Sequence, residues 1–297
     1  MAKFKLYYEE YNLSPFEQLW NNFKKNHLAL LGLWCFTLLL LIAIWAPVIS
    51  PYDPNANNSD ILLMPPSWVV NGQVNYLFGT DDLGRDIFSR LLVGTSYTFG
   101  LSILSVLCAM IIGLILGSLA GLSKGVKSSF LNHILDIALS IPSLLIAIII
   151  VAILGPGLLN TVWAVILALL PQFIHSIRNS VQEELQKDYV TAYKMDGASP
   201  LKVLFVGIFP NIFETLVIVA TMAISSAILD ITALGFLGLG AHPPLSEWGA
   251  MLADSLDLLS IAPWTVALPG IMIFISVFST NLVGDGLRDA LKRRRES

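Results

Sequence analysis

Charge is scarce in this sequence. Asp, Glu, Lys and Arg make up 13% of its 297 residues, against roughly 25% in soluble domains. Hydrophobic residues make up 55%, and the mean hydropathy is +0.73. That balance excludes an ordinary soluble chain and leaves a membrane protein. Cysteine is nearly absent. Cys35 and Cys108 both lie in apolar runs and imply neither a disulfide nor a metal site. No Gly-x-x-x-x-Gly-Lys-Ser/Thr loop occurs, so the chain carries no P-loop ATPase of its own. No Ser/His/Asp or His-Glu-x-x-His constellation stands at usable spacing, so no catalytic residue and no metal site is expected. Apart from residues 292–295 there is no basic tract, and no nucleic-acid partner is expected.

What the chain has is long apolar runs. Six of them, 28–49, 98–122, 132–154, 158–175, 211–231 and 263–287, come near the about 20 residues a helix needs to cross a bilayer. The first is too long for a signal peptide and lacks a small-x-small cleavage site before the polar region. The expected fold is all-α: a polytopic membrane protein with six transmembrane helices and an N-terminal interfacial helix. The expected organisation is a cytosolic tail and interfacial helix (1–27), a first span (28–49) and an extracytoplasmic segment (50–97). A five-helix core (98–291) with a cytosolic loop (178–210) and a basic tail (292–297) complete it. Residues 1–13 are expected to be irregular. Ser14-Pro15-Phe16-Glu17 then forms a capping box. Phe16, Leu19, Trp20 and Phe23 make one apolar stripe that should rest on the cytosolic interface. Within the core, Gly113-x-x-x-Gly117 permits close helix approach, and Pro142 and Pro171 can kink their spans. With the N-terminus in the cytosol, 15 of the 17 basic residues fall inside, and only Arg85 and Arg90 fall outside. That agrees with the positive-inside rule and puts both termini in the cytosol.

Two outer strings stand out. In GTDDLGRDIFSR, residues 79–90, Asp86 and Arg90 are spaced for a surface i,i+4 pair. Ile87, Phe88, Leu91 and Leu92 form an apolar face, so a helix on the outer surface of the bundle is expected. The Asp81, Asp82 and Asp86 spacing is not that of a calcium loop. In residues 232–262, Gly235, Gly238, Gly240 and Pro243-Pro244 interrupt regular helix. Ser246-Glu247-Trp248 then starts a short helix running to about Leu259, over the outer mouth. Four acidic residues lie in or near spans, where charge is costly. Asp136, Glu214 and Asp285 fall near cytosolic ends and are expected at the interface, as are His133 and His175. Asp230 falls near an outer end. Lining a pathway toward a cargo ammonium and capping local backbone are both open for it.

The longest polar interruption of the second half is DYVTAYKMDGASPLKVLFVGIFPN, residues 188–211. Asp188 can act as an N-cap, and residues 189–196 are long enough for two helical turns. Gly197 suits a left-handed stop. Ser199-Pro200 restarts helix with Ser at N-cap and Pro at N1. A short helix offered to the cytosol between two spans suits docking to another protein.

This loop resembles the EAA loop of ABC-importer permeases, in which Glu-Ala-Ala is followed by three residues, Gly, nine residues and Ile-x-Leu-Pro. Ala192, Gly197 and Pro210 match; Thr191, Tyr193, Gly207 and Phe209 depart. The 79–90 string and the FLGLG…PP…WG run resemble the second permease subunit of dipeptide, oligopeptide and nickel ABC importers, most of all the dipeptide class. The resemblance implies a permease of the bacterial cytoplasmic membrane that works by alternating access. It implies Asp188, Tyr189, Thr191, Ala192, Tyr193, Asp196, Gly197 and Pro210 as ATPase-coupling residues. It also implies four partners: a second related permease, two ABC ATPases that bind the ATP and Mg, and an extracytoplasmic binding protein. No cofactor is expected in this chain. Dipeptides, longer peptides, haem-like cargo and nickel stay open. An ion-driven secondary transporter is the alternative, and it would show a self-contained site and inverted repeats with broken helices. An intramembrane protease would need a nucleophile and base that are not seen.

Overall fold

A computed structural model describes residues 14–123 and 125–296; the expectation of irregular chain over 1–13 lies outside the described residues. The helices are α1 (Pro15–Lys24), α2 (His27–Ile49), α3 (Ile87–Thr95), α4 (Leu101–Leu122), α5 (Val126–Leu139) and α6 (Ser143–Leu154). They continue with α7 (Leu158–Glu184), α8 (Asp188–Met195), α9 (Pro200–Lys202), α10 (Phe209–Phe236), α11 (Trp248–Ser255) and α12 (Trp264–Glu296). Among the described residues the one β-type pairing is an isolated bridge between Thr80 and Asp86.

Five helical stretches are long and apolar enough to cross a membrane: His27–Ile49, Ile87–Leu122, Leu158–Glu184, Pro200–Phe236 and Trp264–Arg293. The third expected span, 132–154, is broken. α5 and α6 meet at 88°, where Pro142 removes a backbone donor and drives Ile141 out of the helical region. Two span starts also differ from expectation. The second span begins at Ile87, because a π turn over Ser96–Gly100 joins α3 to α4. The helix expected on the outer surface is therefore the start of a span, with Ile87, Ser89, Arg90, Leu91 and Leu92 buried. The fifth span begins at Pro200 and passes through a second π turn, Val203–Ile208, before Pro210. A widened turn there accommodates a residue that has no N–H and whose ring crowds the carbonyl four residues back.

α4 lies directly on α7. A Cβ at Gly113 would come within 2.5 Å of the Phe173 Cβ, one at Gly117 within 2.9 Å of the Ile177 Cβ, and one at Gly121 within 2.8 Å of the Val181 Cβ. The small-residue pair read from sequence is thus two thirds of a seam that continues one turn further. The core around it holds Val106, Ala109, Phe173, Ile177, Val181, Ala227 and Ile228. α2 packs against α12, with Gly32 facing Leu282 at 2.6 Å from a built Cβ. Its outward face keeps Leu31, Trp34, Leu38 and Ile44 exposed, as a lipid-facing helix does.

α1 has both halves of its capping box: the Glu17 amide donates to Ser14 Oγ at 3.3 Å, and the Ser14 amide donates to Glu17 Oε2 at 2.9 Å. Its stripe is divided. Phe23 is buried against Ala29 and Ala290, whereas Phe16 is 74% exposed. The N-terminal helix is present as expected, and its C-terminal turn also docks on α12.

Candidate functional site

Two polar assemblies stand at opposite ends of the bundle, one around α8 and one around α11.

α8 follows α7 after three residues. Its N-cap is Lys187, with no side-chain cap bond. Asp188 is therefore the first helical residue and not the expected cap, and its carboxylate complements the positive end of the helix from inside the first turn. The stop is as expected. Gly197 has φ +76°. The Ala198 amide donates to the Tyr193 carbonyl at 3.0 Å and the Gly197 amide to Lys194 at 3.1 Å, the paired bonds of a Schellman ending. Ser199 Oγ then accepts from the Lys202 amide at 3.3 Å and restarts helix at Pro200.

One side of α8 holds on to the bundle and the other is open. Val190 is fully buried, and Tyr189 and Tyr193 meet edge to face at 6.4 Å. Asp188, Thr191, Ala192, Lys194, Asp196 and Gly197 are exposed, and Met195 is 83% exposed. The Tyr189 hydroxyl is a junction. It donates to Glu184 Oε2 at 2.5 Å, lies 3.3 Å from the Gly207 carbonyl, and accepts from Asn211 Nδ2 at 3.1 Å. Burial, and then the Glu184 hydrogen bond, push its pKa up to about 12. One phenol thus joins α7, α8 and the start of α10. Glu184, itself buried and paired with Lys187, is the residue that sequence reasoning missed. Its only signal is a carboxylate five residues before a Tyr, which is no recognised spacing. Pro210 stands exposed in the first turn of α10, away from this junction.

Beside the junction a cavity of about 710 Å³ opens between the last turns of α7 and the first turns of α10. His175, Asn179, Glu183, Asn211 and Glu214 are among its walls. His175 and Glu214 were expected at an interface and are brought together here. Asp136 lies 3.8 Å from His175; Asp285 and His133 are exposed elsewhere.

At the other end the two outer strings fold into one seam. Asp81 accepts from Arg85 Nε at 2.6 Å and lies 3.6 Å from Arg90 Nη1. The expected Asp86–Arg90 surface pair does not form. Asp86 caps α3 instead, accepting from the Ser89 amide at 2.8 Å and the Ser89 hydroxyl at 2.6 Å, and Arg90 is buried. Burial raises the Asp86 pKa while the Ser89 bonds oppose the rise. Glu247, wholly buried, accepts from Thr98 Oγ1 at 2.9 Å and from the amides of Gly249 and Ala250 at 2.9 and 2.8 Å. Burial raises its pKa against those three bonds. Trp248 Nε1 donates to the Leu91 carbonyl at 3.2 Å. Gly94 leaves room for the Trp248 ring and Gly235 for the Glu247 carboxylate, which a Cβ at either position would strike. The helix expected to cover the outer mouth is α11, with Trp248, Ala250 and Met251 buried.

Asp230 lies in neither assembly. It is buried on α10, with one carboxylate oxygen lacking a partner and Ser143 of α6 beside the group. Among the described residues no group of three or more His, Cys, Asp or Glu could hold a metal.

Comparison with known proteins gives two family matches. The model described as binding-protein-dependent transport system inner membrane component matches residues 113–297. The N-terminal TM domain of oligopeptide transport permease C matches residues 14–66. The chain is 48% identical over 278 residues to a di/tripeptide transport system permease protein of Pseudomonas aeruginosa, covering 94% of this chain and 92% of the relative. It is 50% identical over 272 residues to a peptide transport system permease protein of Salmonella typhimurium, covering 92% of each. It is 43% identical over 279 residues to the dipeptide transport system permease protein of Escherichia coli, covering 94% and 93%. In fold it is similar to a chain of the MetNI methionine ABC transporter in an inward-facing conformation. The TM-score is 0.53 at 17% identity, over 68% of this chain and 97% of that one.

Proposed function

We propose, from the premise that this chain belongs to the family of binding-protein-dependent transport system inner membrane components, that its cargo is short peptides and that α8 is the helix through which an ATPase drives it. The chain is a permease subunit of an ABC importer and not itself an enzyme; nucleotide hydrolysis belongs to separate ATPase subunits. The family also implies a substrate-binding protein and a paired permease. The complete assembly in this reading has one related permease, two ATPases with their ATP and Mg, and one extracytoplasmic binding protein. Both termini and α8 face the cytosol, which the distribution of 15 of 17 basic residues supports.

The observation that carries the ATPase contact is the division of α8. Its outward residues, Asp188, Thr191, Ala192, Lys194, Met195 and Asp196, leave a free surface, while Tyr189, Val190 and Tyr193 root the helix in the bundle. ATPase closure displaces α8, and the Tyr189 junction passes the displacement to α7 through Glu184 and to α10 through Gly207 and Asn211. Moving two spans together is what alternating access needs. The break between α5 and α6 would by itself suit an ion-coupled transporter, but membership of the importer family removes that reading. Peptide cargo follows the peptide-transport names of relatives at 43–50% identity. The test is uptake of labelled dipeptide by proteoliposomes holding the full complex, with binding protein and ATP. ATP-dependent accumulation of dipeptide is expected; an active complex that accumulates other cargo and no peptide would overturn the assignment.

A further inference from the structure

Between Asp60 and Asp81 the chain runs through residues 61–80 without an Asp, Glu, Lys or Arg, outside every membrane-spanning helix. It does not fold its apolar side chains away. Trp68 is 62% exposed, Val70 83% and Val74 86%, and Leu62, Val69 and Leu77 are exposed as well. Turns hold the backbone in this shape. The Val69 amide donates to the Pro66 carbonyl and the Gly72 amide to the Val69 carbonyl, each at 2.9 Å. The Leu77 carbonyl accepts from the Ser67 amide at 3.1 Å and from the Ser67 hydroxyl at 3.2 Å. Aromatic contacts root the loop in the bundle. Tyr76 stacks on Tyr52 at 5.2 Å, just past the end of α2. Trp68 meets Phe78 edge to face at 5.8 Å, and Phe78 meets Phe88 of α3 in the same way at 5.1 Å.

The root fixes the depth of the loop. α2 has 23 residues, about 34 Å at ~1.5 Å per residue, enough to cross the about 30 Å of bilayer hydrocarbon. Trp45, Val48 and Ile49 stay exposed up to its last turn, so the Ile49 end lies at the hydrocarbon edge. From Ile49 to Tyr52 the chain reaches about 10 Å at most, and the headgroup layer is itself about 5–7 Å deep on each side. The Tyr52–Tyr76 stack therefore stands at headgroup level, where Tyr and Trp concentrate. An exposed apolar patch of this kind marks a contact surface, and an uncharged one bearing Trp suits the boundary between headgroups and acyl chains. We infer that loop 61–80 is a membrane anchor: Trp68, Val70 and Val74 enter that boundary in the leaflet at the Ile49 end of α2 and tie the start of α3 to the lipid surface. In the orientation proposed above this is the outer leaflet. With no charge of its own, the loop needs no anionic headgroup. The inference goes beyond the transport reading and is independent of cargo.

The test uses the full complex in nanodiscs of phosphatidylcholine, with Cys35→Ser, Cys108→Ser and cysteine-free partner subunits. A nitroxide is attached at Val70→Cys or Val74→Cys. Leu38→Cys on the outward face of α2 and Asn57→Cys, between Asp53 and Asp60, are the references for lipid and water. All of these side chains are exposed, so the substitutions leave the packed bundle intact. Collision with oxygen, which concentrates in lipid, is compared with collision with a water-soluble nickel chelate. The Val70 and Val74 labels should fall on the oxygen-favoured side with Leu38, opposite Asn57. A label at Val69→Cys should fall there too, and adding Val70→Asp with Val74→Asp should shift it to the chelate-favoured side, because charge is costly in the boundary. Chelate-favoured labels at Val70 and Val74 would overturn the anchor. If adding peptide-loaded binding protein then immobilised them, the surface would be one for docking protein and not lipid. A Val69 label that stayed oxygen-favoured beside the two aspartates would also overturn it, because these side chains would not then be what holds the loop in the membrane.

Discussion

The α8 end and the α11 end stop their helices by the same device and surround it differently. Gly197 and Gly238 both take a left-handed φ, +76° and +72°, and neither has an atom within 4 Å of a built Cβ. After Gly238 the chain turns into the seam around Glu247 and Trp248, where buried groups of α3, α10 and α11 interlock. Around Gly197 there is open space and an exposed helix face. A glycine set for its backbone conformation is thus separable from a glycine set for close approach, such as Gly235 against Glu247. The α11 seam is closed on all sides by packed groups and holds one arrangement. The α8 end leaves one helix face open and roots the other in the bundle; we propose that it is the end an ATPase grips.

The largest effect should come from the closed end. Gly235→Ala drives a methyl into the Glu247 carboxylate and the start of α11. Overpacking costs about 1–3 kcal/mol, and losing the Glu247 cap adds about 1 kcal/mol. The thermal midpoint of the detergent-purified complex and its membrane abundance should both fall. Gly197→Val is the counterpart at the open end. It meets no neighbour, and its cost is the left-handed conformation, about 1–2 kcal/mol for an ordinary L-residue and more for a β-branched one. Insertion and thermal midpoint should stay near those of the unsubstituted complex, while ATP-driven uptake drops about tenfold or more, a change equivalent to 1.4 kcal/mol or above. If Gly197→Val lost abundance as Gly235→Ala does, the contrast between a closed and a driven end would be gone.

Tyr189→Phe should have a smaller effect and sharpens the contrast. It removes the hydroxyl that joins Glu184, Gly207 and Asn211 and leaves the ring packing. A buried carboxylate losing one partner costs about 1–3 kcal/mol. Uptake per ATP hydrolysed should fall several-fold, with ATPase binding retained; an unchanged ratio would show that displacement travels by another contact. The junction should also be indifferent to moderate alkali. Its pKa is raised to about 12, so the protonated phenol is favoured in the folded chain. The stability this gives is complete below the unfolded value near 10 and is lost only as pH climbs through about 12. Coupling in the unsubstituted complex should be flat from pH 7 to 9.

Much of this contrast was legible in the residue order, and the reasons are local. The stop at Gly197, the restart at Ser199-Pro200 and the capping box at Ser14 and Glu17 are short-range chemistry, read within a few residues. The break before α6 was half legible: Pro142 marks a kink, but 88° depends on what α5 packs against. What was hidden depends on distant partners. Asp86 and Arg90 have ideal spacing for each other, yet Ser89 and Asp81 are nearer in the fold. Glu247 meets Thr98 across 149 positions, and Glu184 has no meaning until Tyr189 turns back on it. The cavity beside Tyr189 needed both α7 and α10 in place before His175 and Glu214 could be seen lining one space.

The smallest effect is expected at Asp230, which belongs to neither end. It lies six residues before the end of α10, about 9 Å inside that helix terminus at ~1.5 Å per residue. Burial with one unpartnered oxygen beside Ser143 is an arrangement a charged cargo group could complete. We propose it as a contact on the route for a cargo ammonium. Asp230→Asn keeps the size and one acceptor oxygen, so the place beside Ser143 and any backbone role survive. Asp230→Ala removes both and cannot separate them. For the Asn variant, uptake of a dipeptide with a free amino terminus should fall about two- to fivefold, the scale of one net hydrogen bond weakened and not abolished. Uptake of the same peptide acetylated at its amino terminus, basal ATPase activity and thermal midpoint should not change. Equal loss for both peptides would assign Asp230 to the packing of α6 on α10. No loss for either would leave the carboxylate without a part in transport.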